Sequence, residues 1–184
     1  MVVAGIDYSL TSPAVTVIDN DRIDFYFFVS SQKKFDLIQH DSFHATIMPK
    51  THSSQNERYK FLSHWCLGIL KSSNVDRIAL EDYSFGSSGR SLFQIAENGG
   101  ILKYVLDEHG FHDILLVAPT QLKKFATGKG NADKALMESS FVQQMAKFSD
   151  IRSILRQTDK QITPSSDIID SFFLARYLIN EQHL

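Results

Sequence analysis

Four acidic side chains stand where apolar segments begin or end. Asp7 closes the run Val2-Val3-Ala4-Gly5-Ile6, and Glu81 closes Ile78-Ala79-Leu80. Asp167 and Asp170 open the apolar stretch from Ile168 to Ile179. An ionised carboxylate placed where the chain turns inward is costly unless positive charge sits beside it. Three or four that converge make a good site for Mg²⁺, a hard cation that prefers oxygen ligands. The chemistry this points to is metal-dependent hydrolysis of a phosphodiester. Asp167 and Asp170 are three apart, so on a helix they point the same way, near the positive end of its dipole. Taken singly, Asp167 also reads as an ordinary helix-start residue, and Glu81 as a charge at a strand's solvent edge. Asp7 is more telling, because it interrupts the apolar strand Gly5-Ile6-Asp7-Tyr8-Ser9.

The elements that must position these groups follow from hydrophobic pattern. Residues 2–8 are continuously apolar and rich in β-branched side chains, which predicts a short strand buried on both faces. Ser9 to Pro13 reads as a turn. Strands are expected over Ala14 to Asp19 and Ile23 to Ser30, joined by a tight hairpin at Asn20-Asp21. Ser31 to His52 shows no regular pattern. Ser54 to Ser72 suits a helix, Val75 to Tyr83 a buried strand, and 84–90 a mobile, glycine- and serine-rich loop. A helix from Ser91 to about His109 and a strand at Ile114 to Val117 follow. Pro119 can start a helix. Gly128-Lys129-Gly130 is a turn, with Asn131 the expected cap of a helix running to about Phe148. Thr163-Pro164 leads into a last helix, 165–181. Three antiparallel strands followed by alternating helices and strands predict an α/β fold, a mixed sheet flanked by helices. That arrangement puts Asp7 and Glu81 on adjacent central strands and brings the last helix across them.

Composition sets the bounds. At 184 residues, 43% of them hydrophobic, the chain can bury a full core and reads as one domain, 1–184. The formal net charge of −2 advertises no global affinity for nucleic acid, so any such face must be local. The single cysteine, Cys66, excludes an intrachain disulfide and fits a reducing cytosol. No apolar run approaches the roughly 20 residues that span a bilayer, and the N-terminus lacks the pattern of a secretory signal. The expectation is a soluble cytoplasmic protein with no membrane association. His40 and His44, and His64 near Cys66, lack the further ligands that would complete a zinc set.

Gly5-Ile6-Asp7, Leu80-Glu81, the stretch from Pro119 to Met137, and Asp167-Ile168-Ile169-Asp170 together resemble the RuvC-type Holliday junction resolvases, within the ribonuclease H-like nucleases. The likeness runs in order along nearly the whole chain. Its sharpest part is Pro119-Thr120-Gln121-Leu122-Lys123-Lys124 followed by Thr127-Gly128-Lys129-Gly130-Asn131-Ala132-Asp133-Lys134. The resemblance implies a ribonuclease H-like mixed sheet in which Asp7, Glu81, Asp167 and Asp170 hold two Mg²⁺ ions, with Mn²⁺ able to substitute. It implies that Lys134 stabilises charge on the scissile phosphate and that Lys123 steadies the backbone nearby. It also implies a homodimer, because a two-fold symmetric four-way junction is cut at two matched sites. The setting implied is the nucleoid of a bacterial or phage-infected cell.

Further residues bear on DNA. Lys123, Lys124, Lys129, Lys134, Lys147, Arg152, Arg156 and Lys160 concentrate positive charge between 119 and 160, against Asp133, Glu138, Asp150 and Asp159. A local basic face is what phosphate binding requires, although a mixed solvated surface has the same composition. The family usually places an aromatic side chain at the junction centre shortly after the glutamate. Here the expected position is Ser84, and the candidates are Tyr83 and Phe85, which departs from the pattern. The helix carrying Leu92, Phe93, Ile95, Ala96, Gly99, Gly100, Leu102, Val105 and Leu106 is apolar on more than one face. It suits a dimer contact or plain core packing. Alternatives to a junction-cutting enzyme are a related nuclease acting on flaps, branched DNA or hybrids, and a junction-binding protein without catalysis. A third is an actin-like ATP-binding domain, for which the chain has room for only one of the two required lobes.

Overall fold

The computed structural model describes residues 1–38, 40–83, 90–155, 157 and 163–181. In chain order the elements are β1 (Val2–Asp7), β2 (Ala14–Asp19), β3 (Arg22–Val29), α1 (Gln32–Leu37), β4 (Phe43–Ile47), α2 (Gln55–Ser72), β5 (Arg77–Glu81), α3 (Arg90–Glu108), β6 (Ile114–Val117), α4 (Pro119–Thr127), α5 (Lys134–Gln144), α6 (Ile151–Ile154) and α7 (Ser165–Glu181), with one 3-10 turn at Ala146–Phe148. The strands form one six-stranded sheet in the order β4-β3-β2-β1-β5-β6. β1, β2 and β3 are antiparallel, while β5 runs parallel to β1 and β6 parallel to β5. The mixed sheet read from the sequence is therefore present.

The pleat sorts side chains to two layers. Val3, Ala14, Phe25, Phe27 and Ala79 face one core, shared with α4, α5 and α7. Ala4, Ile6, Val15, Val17, Ile78 and Leu80 face the other, shared with α2 and α3. The alternation of neighbours between the two cores is the period-2 signature of strands buried on both faces.

α7 lies closest to the sheet, and Gly5 is the reason. A Cβ at that position would come within 2.1 Å of the Ser171 carbonyl oxygen and 2.3 Å of the Ala175 amide nitrogen. Only a residue without a side chain lets the helix backbone settle onto β1. The contact is fixed in register by a buried hydrogen bond between Thr16 Oγ1 and Ser171 Oγ at 2.7 Å. Two strand residues above Gly5, about 6.7 Å along β1, stands Asp7. One helical turn before Ser171 and Leu174, about 5.4 Å along α7, stand Asp167 and Asp170. These two near-equal steps bring the carboxylates to the same level.

Three expectations need correcting. The stretch read as irregular contains α1 and β4, and β4 adds a parallel edge strand to β3. Only Phe43 of its five residues is fully buried, so an edge strand with His44 and Thr46 leaves no apolar run to recognise. The cap of α5 is Asp133 rather than Asn131. The Asp133 carboxylate accepts from the Leu136 amide at 2.9 Å, while Ala132 is buried in the preceding turn. α5 also stops at Gln144, because Met145 leaves helical geometry (φ −123°, ψ 59°).

Candidate active site

β1 and β5 run parallel with Ile6 opposite Leu80, so Asp7 and Glu81 occupy the next rung at the carboxyl ends of neighbouring strands. Both side chains belong to the face that α7 covers. In open α/β sheets this edge is where ligands bind. Asp7 is 9% exposed and Asp167 8%, and each carboxyl feels the others. Burial, then Glu81, Asp167 and Asp170, push Asp7 well above the ordinary aspartate range, with Lys134 pulling the other way. Burial and Asp170 raise Glu81 to about 7 against the pull of Lys123, and burial and Asp167 raise Asp170 to about 7 against Lys134 and Lys123. Asp167 is also raised by burial, with the hydroxyls of Ser12 and Ser166 and the charge of Lys134 opposing. The four carboxylates named from the sequence therefore form one electrostatic cluster.

Two cavities flank it. One, of about 330 Å³, is bounded by Asp7, Glu81, Leu10, Tyr83, Ile95 and Lys103, among others. The second, of about 190 Å³, lies between Glu81, Asp170, Lys123, Lys134, Ser166 and Arg152. Lys123 reaches it because α4 starts two residues after β6, and Lys134 because it is the first residue of α5. Arg152 forms a two-point pair with Glu138, at 2.6 and 2.5 Å. Lys124 and Lys129 are exposed and border neither cavity. Lys147 sits beyond the opposite end of the sheet, in a hollow with Asn20 and Asn180, its ammonium 4.9 Å from the Phe148 ring centre. The basic window of the sequence is thus split, and two of its lysines adjoin the carboxylates. Arg156 and Lys160 fall outside the described residues.

Tyr83 is engaged. Its hydroxyl donates to the Ala96 carbonyl at 3.3 Å, and the Lys103 ammonium lies 5.1 Å from its ring centre. Gly99 makes the room, since a Cβ there would stand 2.8 Å from the Tyr83 hydroxyl. The ring is held against α3 at the mouth of the larger cavity. Ser84 and Phe85, with the rest of the glycine-rich loop, lie outside the described residues. His44 bonds Asp24 at 2.9 Å and stacks on Tyr26 with ring centres 4.6 Å apart.

The donor set suits a hard divalent cation. All four groups are carboxylates, and Asp167 Oδ2 is buried without a hydrogen-bond partner among the described residues. A buried carboxylate oxygen in that state is costly unless something positive meets it. Among the described residues no three acidic, His or Cys groups are already drawn into a cage. Like charges repel, and a bound cation or protonation of the carboxyls relieves that repulsion. Sequence reasoning missed the hydroxyls of Ser12 and Ser166, because serines beside a turn or a helix start read as ordinary caps.

No family model matches the chain. The crossover junction endodeoxyribonuclease RuvC of Campylobacter concisus is 36% identical over 67 residues, covering 36% of this chain and 41% of that protein. The RuvC of Clostridioides difficile is 20% identical over 159 residues, covering 86% of this chain and 83% of that protein. Among solved structures, Thermus thermophilus RuvC in complex with Holliday junction substrate superimposes with a TM-score of 0.60 at 19% identity, over 95% of this chain and 90% of that one. The chain is similar to RuvC-type resolvases, and its fold is the ribonuclease H-like fold they share.

Proposed function

We propose, from that similarity and from the carboxylate cluster, that this chain is a crossover junction endodeoxyribonuclease that cuts four-way DNA junctions with Mg²⁺. The observation that carries the reading is the convergence of Asp7, Glu81, Asp167 and Asp170 at one strand edge, beside Lys123 and Lys134. These four carboxylates would hold two divalent ions, Mn²⁺ serving in place of Mg²⁺. The chemistry such ions supply is activation of water for attack on phosphorus and stabilisation of the leaving oxygen.

The rest of the mechanism belongs to the chain. Lys134 neutralises charge building on the scissile phosphate, and Lys123 orients the backbone across the smaller cavity. Lys124, in the last turn of α4, and Lys129, just beyond its glycine cap, are exposed and contact flanking phosphates, making affinity salt-dependent. Tyr83 borders the strand path through its ring, and Phe85 is the remaining candidate for stacking at the junction centre. No sequence-specific contact is needed to select a branched substrate, because the protein reads shape.

Two matched cuts need two sites. On α3, Phe93 and Tyr104 are 68% and 62% exposed, and with Ala96 and Gly100 they follow one helical stripe. This stripe is the proposed contact between two copies, while Leu102, Val105 and Leu106 pack inward.

The test is cleavage of labelled four-way junction, flap, RNA–DNA hybrid and linear duplex, with and without Mg²⁺, alongside sizing by light scattering on junction DNA. Paired symmetric nicks in the junction, dependent on Mg²⁺ and made by a two-chain complex, are expected. Cutting confined to flaps or hybrids would move the substrate to a related nuclease, and tight binding without cuts would leave a junction-binding protein.

A further inference from the structure

One hydroxyl ties the cationic side of the site to the acidic side. Lys134 Nζ donates to Ser166 Oγ at 3.3 Å, and Ser166 Oγ donates to Asp167 Oδ1 at 2.9 Å. Ser166 is 8% exposed, as is Asp167. A serine hydroxyl has a single proton. With the ammonium taking a lone pair, that proton is directed to the carboxylate. Asp167 Oδ1 is thereby occupied, the Ser12 hydroxyl also lies beside this carboxyl, and Oδ2 is the oxygen left buried and without a partner among the described residues.

We infer that Ser166 is a positioning residue, a relay from Lys134 that fixes the rotation of Asp167 so that Oδ2 faces the cation. The inference rests on the metal-dependent reading given above. It concerns a residue that neither the carboxylate set nor the lysine pair includes. A partner that orients a metal-binding carboxylate without touching the ion changes metal affinity or activity by about 10- to 100-fold when removed. The effect appears as weaker metal binding and a slower turnover, and not as poorer DNA binding, because Ser166 adds no charge to the phosphate-binding surface.

The experiment uses the full chain, stripped with chelator, as wild type, S166A, S166T, K134A and the S166A/K134A double variant. Mn²⁺ affinity is read by calorimetry without DNA, and kcat and KM are read on a four-way junction. S166A is expected to bind Mn²⁺ about tenfold more weakly and to lose about tenfold in kcat, with KM nearly unchanged. S166T, which keeps the hydroxyl, is expected to restore both. The S166A and K134A effects should be less than additive, as two members of one network are. Wild-type Mn²⁺ affinity and kcat in S166A, or full additivity with K134A, would overturn the relay. Should S166A fail to melt cooperatively, S166T decides: wild-type affinity supports the relay, and its loss overturns it. A wild-type chain that neither binds Mn²⁺ nor cuts a junction would instead overturn the functional reading, which the same data distinguish.

Discussion

With divalent ions chelated, the melting temperature of the wild-type chain is expected to fall as pH rises from 5 to 8. Asp and Glu in an unfolded chain ionise near pH 4. In the folded site Glu81 and Asp170 ionise only at about 7, and Asp7 is raised as well. Below about pH 4 both states are protonated, and the cluster costs nothing. Between about 4 and 7 the folded state binds more protons than the unfolded, so stability drops with rising pH. Above about 7 the whole cost is present. For Glu81 alone, the move from 4.5 to about 7 corresponds to roughly 3 kcal/mol. At about 2–4 °C per kcal/mol for a chain of this size, that is roughly 6–12 °C. A divalent ion that binds only the ionised folded site stabilises it by mass action. The added ion should therefore raise the melting temperature strongly at pH 8 and little at pH 5. Scanning fluorimetry across that range checks the expectation. A melting temperature that rises from pH 5 to 8 in chelator would refute the repulsive cluster.

Asp7→Asn is expected to end cleavage while improving metal-free stability. Asp7 is the member of the cluster that all three other carboxylates press on, and its neutral replacement keeps the size while exchanging one acceptor oxygen for an amide donor. Loss of its charge should cut the rate by a factor on the order of 10³, the scale seen when a preorganised group facing a transition state is removed. Junction affinity should hold, because the proposed contacts to phosphates are made by lysines and not by Asp7. Relief of repulsion should lift the melting temperature at pH 8 in chelator and flatten its pH dependence. A nicking assay, fluorescence anisotropy and fluorimetry read the three effects separately. Undiminished cutting would sink the assignment, and a fall in metal-free stability would show that Asp7 serves the fold.

Much of this arrangement is legible in the residues, for reasons that can be named. β1, β2, β5 and β6 are short apolar runs with clear ends, and such strands need little tertiary information to recognise. Pro119 at the start of α4 and Ser54 before α2 mark helix starts that the structure retains. Asp7 and Glu81 meet because parallel neighbours in one sheet bring their carboxyl ends together, which topology alone dictates. Other features depend on contacts between distant segments. β4 gains its hydrogen bonds from β3 and carries little apolar pattern of its own. The engagement of Tyr83 requires Gly99 and Lys103, about one turn apart on α3, which no local rule places there. Lys147 reads as part of a basic face in sequence, yet the break at Met145 carries it beyond the far end of the sheet. Ser166 reads as a helix-start serine until Lys134 is seen beside it.

A two-ion site requires that the four carboxylates gather divalent ions. Anomalous diffraction from crystals grown with Mn²⁺ is the most direct measurement. Two peaks are predicted within coordination distance of Asp7, Glu81, Asp167 and Asp170, both lost in Asp7→Asn. Mn²⁺ bound elsewhere, with these carboxylates unliganded in a chain that still cuts junctions, would contradict it.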